Sequence, residues 1–213
     1  AIDIWGADHH GYVARLESGI KALDLEPERL KIIITQLVRL VKKGKEVRMS
    51  KRKGEFVTLD ELLKEVGKDA ARFFFLMNAP ESHMDFDLTL AKERSLKNPV
   101  YYAQYALVRC LGILQNSKFN PPAGGQNSKL QSKLKNLKTD EETRLLAELV
   151  KLPYFIRQTA EDYQVNRLAR YAMELARAFH NFYEKERVIN KDGDALEERL
   201  ALVVATKAIL EKL

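Results

Sequence analysis

Apolar positions along the chain change their period more than once. Ile2, Ile4 and Trp5 form a short β-prone run stopped by Gly6. Val13, Leu16, Ile20 and Leu23 then recur at helical spacing, which predicts a helix over residues 8–24 following a strand, as in an α/β layer. Pro27 begins a new element. Leu30 to Val41 is rich in β-branched residues, and Lys43-Gly44 sets it off from Lys45 to Arg48. That is the pattern of a β-hairpin with a basic tip, with a helix as the competing assignment. Thr58 and Glu61 have the spacing of a capping box, opening a short helix with Leu59, Leu62, Leu63 and Val66 on its apolar side and Gly67 at its end. Asp69 is placed to cap the next helix, where Ala71, Phe74, Phe75 and Leu76 supply a bulky buried face before Pro80. Beyond Asp87 nearly everything reads at a helical period, over about 88–116, 140–163, 165–189 and 193–212. Between the first two of these, Asn116 to Lys138 carries Pro121-Pro122, Gly124-Gly125 and five lysines but no acid. It is too long for an ordinary helix connection and is expected to be a flexible insert over 116–138.

Composition narrows the class. The 213 residues are 46% hydrophobic, enough to build a real core in one full-sized domain or two small ones, so global disorder is excluded. Cys110 is the only cysteine; it offers no internal disulfide and no structural zinc site, which makes a reducing, cytoplasmic setting the expectation. No apolar run approaches the roughly 20 residues that cross a bilayer, and Ala1 to Gly11 lacks the order of a signal peptide, so a soluble protein with no membrane partner is expected. Lys and Arg outnumber Asp and Glu by 36 to 30, a formal charge of +6 that favours polyanionic partners.

Three features could carry chemistry. The first is Trp5-Gly6-Ala7-Asp8-His9-His10-Gly11-Tyr12, directly after the opening strand. Strand ends in open α/β sheets form nucleotide crevices, where a glycine lets backbone approach a sugar and an aspartate such as Asp8 accepts ribose hydroxyls. The competing reading is that Gly6 turns the chain and Asp8 caps a helix. Adjacent His9 and His10 point apart in either a helix or a strand, so no metal site is expected there. The second feature is the basic run from Lys42 to Lys53, with seven cations against Glu46, ending on Gly54. Such a run is either a solvated turn or a phosphate clamp, in which Lys51 stabilises charge developing on phosphoryl oxygens. The third is a pair of helical segments: Tyr101, Tyr102, Gln104, Tyr105 and Arg109, with Phe179, His180, Asn181, Tyr183 and Arg187. Aromatics interleaved with amides and arginines suit unpaired RNA bases, which are stacked and read at their edges. Tyr101 and Tyr105 lie one turn apart, as do Phe179 and Tyr183, so bundle core claims part of each set. Cys110 among Leu107, Leu111 and Leu114 reads as a buried, inert thiol.

GADHHGY, VRMSKRKGEFVTLDELL, DAARFFFL and NPVYYAQYALVR, in this order and at these distances, resemble the C-terminal half of the bacterial arginyl-tRNA synthetases. The resemblance runs from Ile2 to about Leu114 and resumes more loosely from about Leu145, leaving the Pro-, Gly- and Lys-containing insert uncovered. It implies the second half of a class I Rossmann catalytic domain over 1–47, a KMSKS-like loop with a stem-contact region over 48–96, and an all-α anticodon-binding bundle of the DALR type over 97–213. The fold class is therefore partial α/β followed by all-α, mostly helical overall.

The same resemblance implies roles for individual residues. Gly6 and Asp8 belong to the adenosine end of the pocket, with His9 and Tyr12 beside the adenylate or the arginine. Arg48, Met49, Ser50 and Lys51 match the KMSKS loop, which closes over ATP; Lys51 meets the triphosphate, with Ser50 beside it as the other catalytic candidate. Arg48 and Arg52 depart from the strict motif, and with Arg52 the final serine hydroxyl is lost. Tyr102, Gln104, Arg109, Asn181, Tyr183 and Arg187 lie where this family presents its RNA-facing helices. The whole enzyme would join L-arginine to its tRNA through an arginyl adenylate, using ATP and magnesium with no tightly bound cofactor, and a monomer is expected. The chain shows no HIGH-type motif and no first half of the nucleotide-binding sheet, so it reads as a piece of that enzyme, inactive alone. The alternative is a free-standing tRNA-binding or assembly module derived from such a synthetase.

Overall fold

The computed structural model describes residues 1–47, 58–117, 137–189 and 197–213. The chain divides into two compact units, Ala1–Glu93 and Arg94–Leu213, and is mostly helical with two small sheets.

In the first unit, strand β1 (Ile2–Gly6) lies parallel to β2 (Lys31–Thr35), with Ile2 opposite Lys31 and Gly6 opposite Thr35. Parallel pairing needs a crossover. Here it is a 3-10 turn (Ala7–Tyr12), helix α1 (Val13–Ala22) and a second short 3-10 turn (Pro27–Arg29). The helix expected from residue 8 therefore starts at Val13, because the Ala7–Tyr12 stretch, with Gly6 before it and Gly11 within it, winds more tightly.

Leu30 to Val41 is not one strand. Gln36 and Leu37 interrupt it, and the Gln36 N–H donates to the Pro80 carbonyl at 2.8 Å. Strand β3 (Val38–Lys42) then enters a separate sheet. It turns through Lys43 and Gly44, both at positive φ (51° and 73°), into the antiparallel β4 (Lys45–Glu46), a hairpin that needs a left-handed pair. Helix α2 (Leu59–Val66) opens on the expected capping box, the Glu61 N–H donating to Thr58 Oγ1 at 3.2 Å and the Thr58 N–H to Glu61 Oε2 at 2.8 Å. Leu59, expected on the apolar side, is exposed at the first helical position, and Leu62 is the buried residue.

Helix α3 (Lys68–Leu76) follows with Gly67, not Asp69, at its N-cap. Gly67 sits at φ 86°, so a single left-handed residue ends one helix and starts the next, which leaves Asp69 inside the first turn. Ala71 and Phe74 are buried as expected, whereas Leu76 is exposed. Strand β5 (Met84–Asp87), absent from the sequence reading, runs parallel to β3 and puts Arg39 opposite Asp85, where a forked pair forms at 2.7 and 2.9 Å. Its alternate residues Met84 and Phe86 face the core, with Phe86 against the rings of Phe74 and Phe75. Asp87 caps the short α4 (Leu88–Lys92).

The second unit is a helical bundle. The helix expected over 88–116 is two, because Asn98 caps and Pro99 opens α5 (Pro99–Asn116). The span 140–163 is likewise split, by Pro153, into α6 (Asp140–Leu149) and α7 (Leu152–Asp162). Helix α8 (Asn166–Lys185) and helix α9 (Glu197–Leu210) complete it. Tyr163, at φ 61°, ends α7 in the left-handed conformation. Leu175, Phe179 and Phe182 on α8 pack with Ala106, Cys110, Leu145, Leu200, Leu202 and Val203 in one apolar core. Burial leaves the Cys110 thiol pushed up to about 12, the inert group expected of it.

Candidate functional site

The end of β1 places four of the predicted residues together. Gly6 closes the strand and Asp8, His9 and Tyr12 follow in the 3-10 turn. A Cβ on Gly6 would lie 2.6 Å from Asp8 Oδ1, so glycine is what allows the Asp8 carboxylate to sit against the strand end. The carboxylate stays exposed, 3.6 Å from His9 Nε2. Trp5, His9 and Tyr12 line an open cavity of about 420 Å³ beside it. Asp8 does not serve as a helix cap: Gly6 is the N-cap of the 3-10 turn and makes no side-chain cap hydrogen bond. Arg48, Met49, Ser50 and Lys51 lie outside the described residues, as do residues 118–136 of the predicted insert.

The bundle holds a more elaborate constellation. On α5, Tyr101, Tyr105, Arg109 and Asn116 recur three or four residues apart with Gly112 between, a row along one helical face. The Tyr101 and Tyr105 rings stack nearly parallel, 6.2 Å between centroids. The Arg109 guanidinium carbon lies 4.5 Å from the Tyr105 ring and 4.5 Å from the ring of Tyr183 on α8, a cation held between two aromatic faces. Arg109 Nη1 also lies 3.1 Å from Nδ1 of the buried His180, whose Nε2 is 3.2 Å from the Tyr102 carbonyl. A guanidinium has only donors, so Nδ1 is the acceptor and the ring proton sits on Nε2, donating to Tyr102. Burial first, then the charge of Arg109, lower the His180 pKa against the opposing pull of the Tyr102 carbonyl and Glu184.

Tyr105, Arg109, Tyr183 and Arg187 line a groove of about 710 Å³ with Val108, Gly112 and Asn116. Three of the predicted RNA-facing residues, Arg109, Tyr183 and Arg187, thus meet in one place. Tyr102 lies instead edge-on to His180, 4.6 Å between centroids, while the exposed Gln104 and Asn181 are not among the residues lining the groove. Core and surface divide the aromatics as helical phase demands: Phe179 is fully buried and Tyr183 faces outward.

Two further residues hold the groove's far wall. Arg199 on α9 donates through Nη1 to the Arg187 carbonyl at 2.8 Å and through Nε to Glu142 Oε1 at 2.6 Å, and it pairs with Glu186. Burial pushes the Glu142 carboxyl up, but the N–H of Lys138, the Arg199 guanidinium and the N–H of Thr139 outweigh it and hold the group below its ordinary value. Glu142 carries a sequence signal, since Thr139 and Glu142 form a second capping box. Arg199 carries none, because its partners come from distant positions.

A family model described as the DALR anticodon binding domain matches residues 103–213. The chain is 48% identical over 212 residues to an arginine–tRNA ligase of Desulfitobacterium hafniense, covering 98% of this chain and 37% of that protein. It is 44% identical over 211 residues to an arginine–tRNA ligase of Heliobacterium modesticaldum, covering 98% of this chain and 38% of that one. The chain thus spans less than two fifths of the length of these curated relatives. A Campylobacter jejuni crystal structure assigned provisionally as an arginyl-tRNA synthetase superposes with a TM-score of 0.83 at 28% identity, over 99% of this chain and 44% of that one. The Thermus thermophilus arginyl-tRNA synthetase shares the fold, with a TM-score of 0.72 at 20% identity over 98% of this chain and 38% of that one.

Proposed function

The chain belongs to the DALR anticodon-binding domain family, and from that premise we propose that it is the anticodon-reading and ATP-loop-bearing part of an arginine–tRNA ligase. The observation that carries the reading is the groove, where Tyr105, Arg109 and Tyr183 present two ring faces around one cation. Unpaired bases stack on aromatic faces, and a guanidinium beside them hydrogen-bonds a base edge or a phosphate. Arg187 at the groove rim supplies a second positive charge, and Tyr102, Gln104 and Asn181 extend the polar surface on the same helices.

In this reading the first unit is the end of a Rossmann catalytic domain. The parallel pair β1 and β2 with its helical crossover is one βαβ unit, and the open cavity lies at the β1 carboxyl end, where such sheets take nucleotides. Asp8 accepts ribose hydroxyls of the adenylate, Gly6 keeps backbone close to the sugar, and His9 and Tyr12 border the arginine. Lys51, with Arg48, Met49 and Ser50, meets the triphosphate of ATP and its magnesium. The whole enzyme, in the cytoplasm, joins L-arginine to its tRNA through an arginyl adenylate.

Titrating the chain with arginine tRNA, and with a variant altered at the middle anticodon base, at two salt concentrations tests this. Salt separates phosphate attraction from base readout. The reading requires weaker binding of the variant at both salts; equal, weak binding that vanishes at higher salt contradicts it.

A further inference from the structure

We propose that His180 is a positioning residue for nucleotide recognition: its bare Nδ1 holds the Arg109 guanidinium between the two tyrosine rings, and a proton on that nitrogen releases it. The proposal rests on the groove being the RNA site. Its basis is the geometry of a nearly inaccessible imidazole with both nitrogens committed, Nδ1 to Arg109 and Nε2–H to the Tyr102 carbonyl.

Among the described residues no carboxylate pairs with Arg109; the nitrogen of His180 is its directional anchor, and the rings of Tyr105 and Tyr183 lie on either side of it. A guanidinium held this way keeps its remaining N–H groups free for a ligand, which a salt bridge to a carboxylate would consume. The arrangement works in one protonation state. Imidazolium carries N–H on both nitrogens, so Nδ1 would then donate toward a group with nothing to accept, and two cations would face each other at 3.1 Å.

The groups that face the ring are few. From α5 they are Arg109 and the rings of Tyr102 and Tyr105. From α8 they are Phe179, which neighbours it in the core, and Glu184, whose charge favours the proton. Burial and Arg109 prevail over the Tyr102 carbonyl and Glu184, so the His180 pKa is lowered and the neutral ring is the form favoured near pH 7. Affinity for RNA is therefore expected to fall on acidification. That direction is diagnostic, because positive charge added to a protein on acidification would by itself strengthen attraction to phosphate.

The test titrates the 213-residue chain with an arginine-accepting tRNA at fixed salt, at about pH 7.5 and about pH 5. Wild-type protein should bind several-fold more weakly at the acid pH. In His180→Asn the amide oxygen still accepts from Arg109 but does not titrate, so near-normal affinity at neutral pH and loss of the pH dependence are expected. Arg109→Ala should weaken neutral binding by about tenfold, and adding His180→Leu to it should cost nothing more, because the two act through one group. Wild-type affinity that is flat or rises on acidification overturns the proposal, as does a pH dependence that persists in His180→Asn, or additive losses in the double variant. Unchanged binding by Arg109→Ala would instead remove the groove reading beneath it, a separate and recognisable failure.

Discussion

Cys110 and Tyr183 show what one residue's surroundings decide. Cys110 sits fully buried on α5 within the bundle core, and burial pushes its thiol up to about 12. Thiolate is the reacting form, so native protein at about pH 8 should resist an aromatic disulfide reagent, with labelling that follows unfolding in a denaturant series. Labelling of the native protein at the rate of a free thiol would show that α5 does not pack as described. Helical spacing sufficed to foresee this residue, since its neighbours in sequence are apolar on the same face. The aromatics were harder to divide. Spacing says that Phe179 and Tyr183 share a side of α8, but the phase of the helix against the core comes from its partners. Those partners bury Phe179 and leave Tyr183 free to face Arg109.

Arg199 acts at the scale of elements, joining the start of α6, the end of α8 and α9 through Glu142, Glu186 and the Arg187 carbonyl. Glu142 is nearly inaccessible, and removing its cation leaves a buried carboxylate held only by the Lys138 and Thr139 N–H groups. Arg199→Met should therefore destabilise the bundle by about 3–5 kcal/mol in denaturant unfolding. Pairing it with Glu142→Gln and Glu186→Gln should recover much of that loss. The pH dependence has a definite sign. A carboxyl lowered in the fold contributes stability above its unfolded value, near about 4.3, and loses it as pH falls through its folded value. Arg199→Met should thus flatten the acid limb of the stability profile; a loss below about 1 kcal/mol would mark the pair as solvated. Nothing local announces Arg199, whereas the capping box at Thr58 and the Lys43-Gly44 hairpin were read, and the box at Thr139, passed over in the sequence, carries the same signal within four residues. The merged helices are a different failure. Pro99 and Pro153 stood in plain view as first-turn residues, and the helical period simply continued across them.

At the scale of the molecule, what escaped the sequence is long-range pairing. Strand β5 finds β3 about 46 residues away, and its four-residue pattern Met84-Asp85-Phe86-Asp87 is too short to stand out until Phe74 and Phe75 cover it. The groove is similar: Arg109 and His180 lie 71 residues apart, so composition suggested RNA while only the packing of α5 on α8 showed which residues converge. That convergence separates two kinds of contact with one ligand. Tyr183 offers a ring face and no charge, so Tyr183→Ala should weaken tRNA binding by about 1–3 kcal/mol at every salt concentration. The slope of log affinity against log salt should not change, because no counterion is released at a stacking contact. Arg187 is an exposed cation at the rim, and its backbone, held by Arg199, does not depend on its side chain. If Arg187 meets a phosphate, Arg187→Ala should reduce that slope by about 0.7–0.9, the share of one contact, with little effect on discrimination between anticodon bases. The two variants read together decide how the surface works. Equal slopes with unequal affinities at all salts would make stacking dominant in the groove, while a slope change in Tyr183→Ala would mean that removing the ring moves Arg109, tying the cation's position to the aromatic face that covers it.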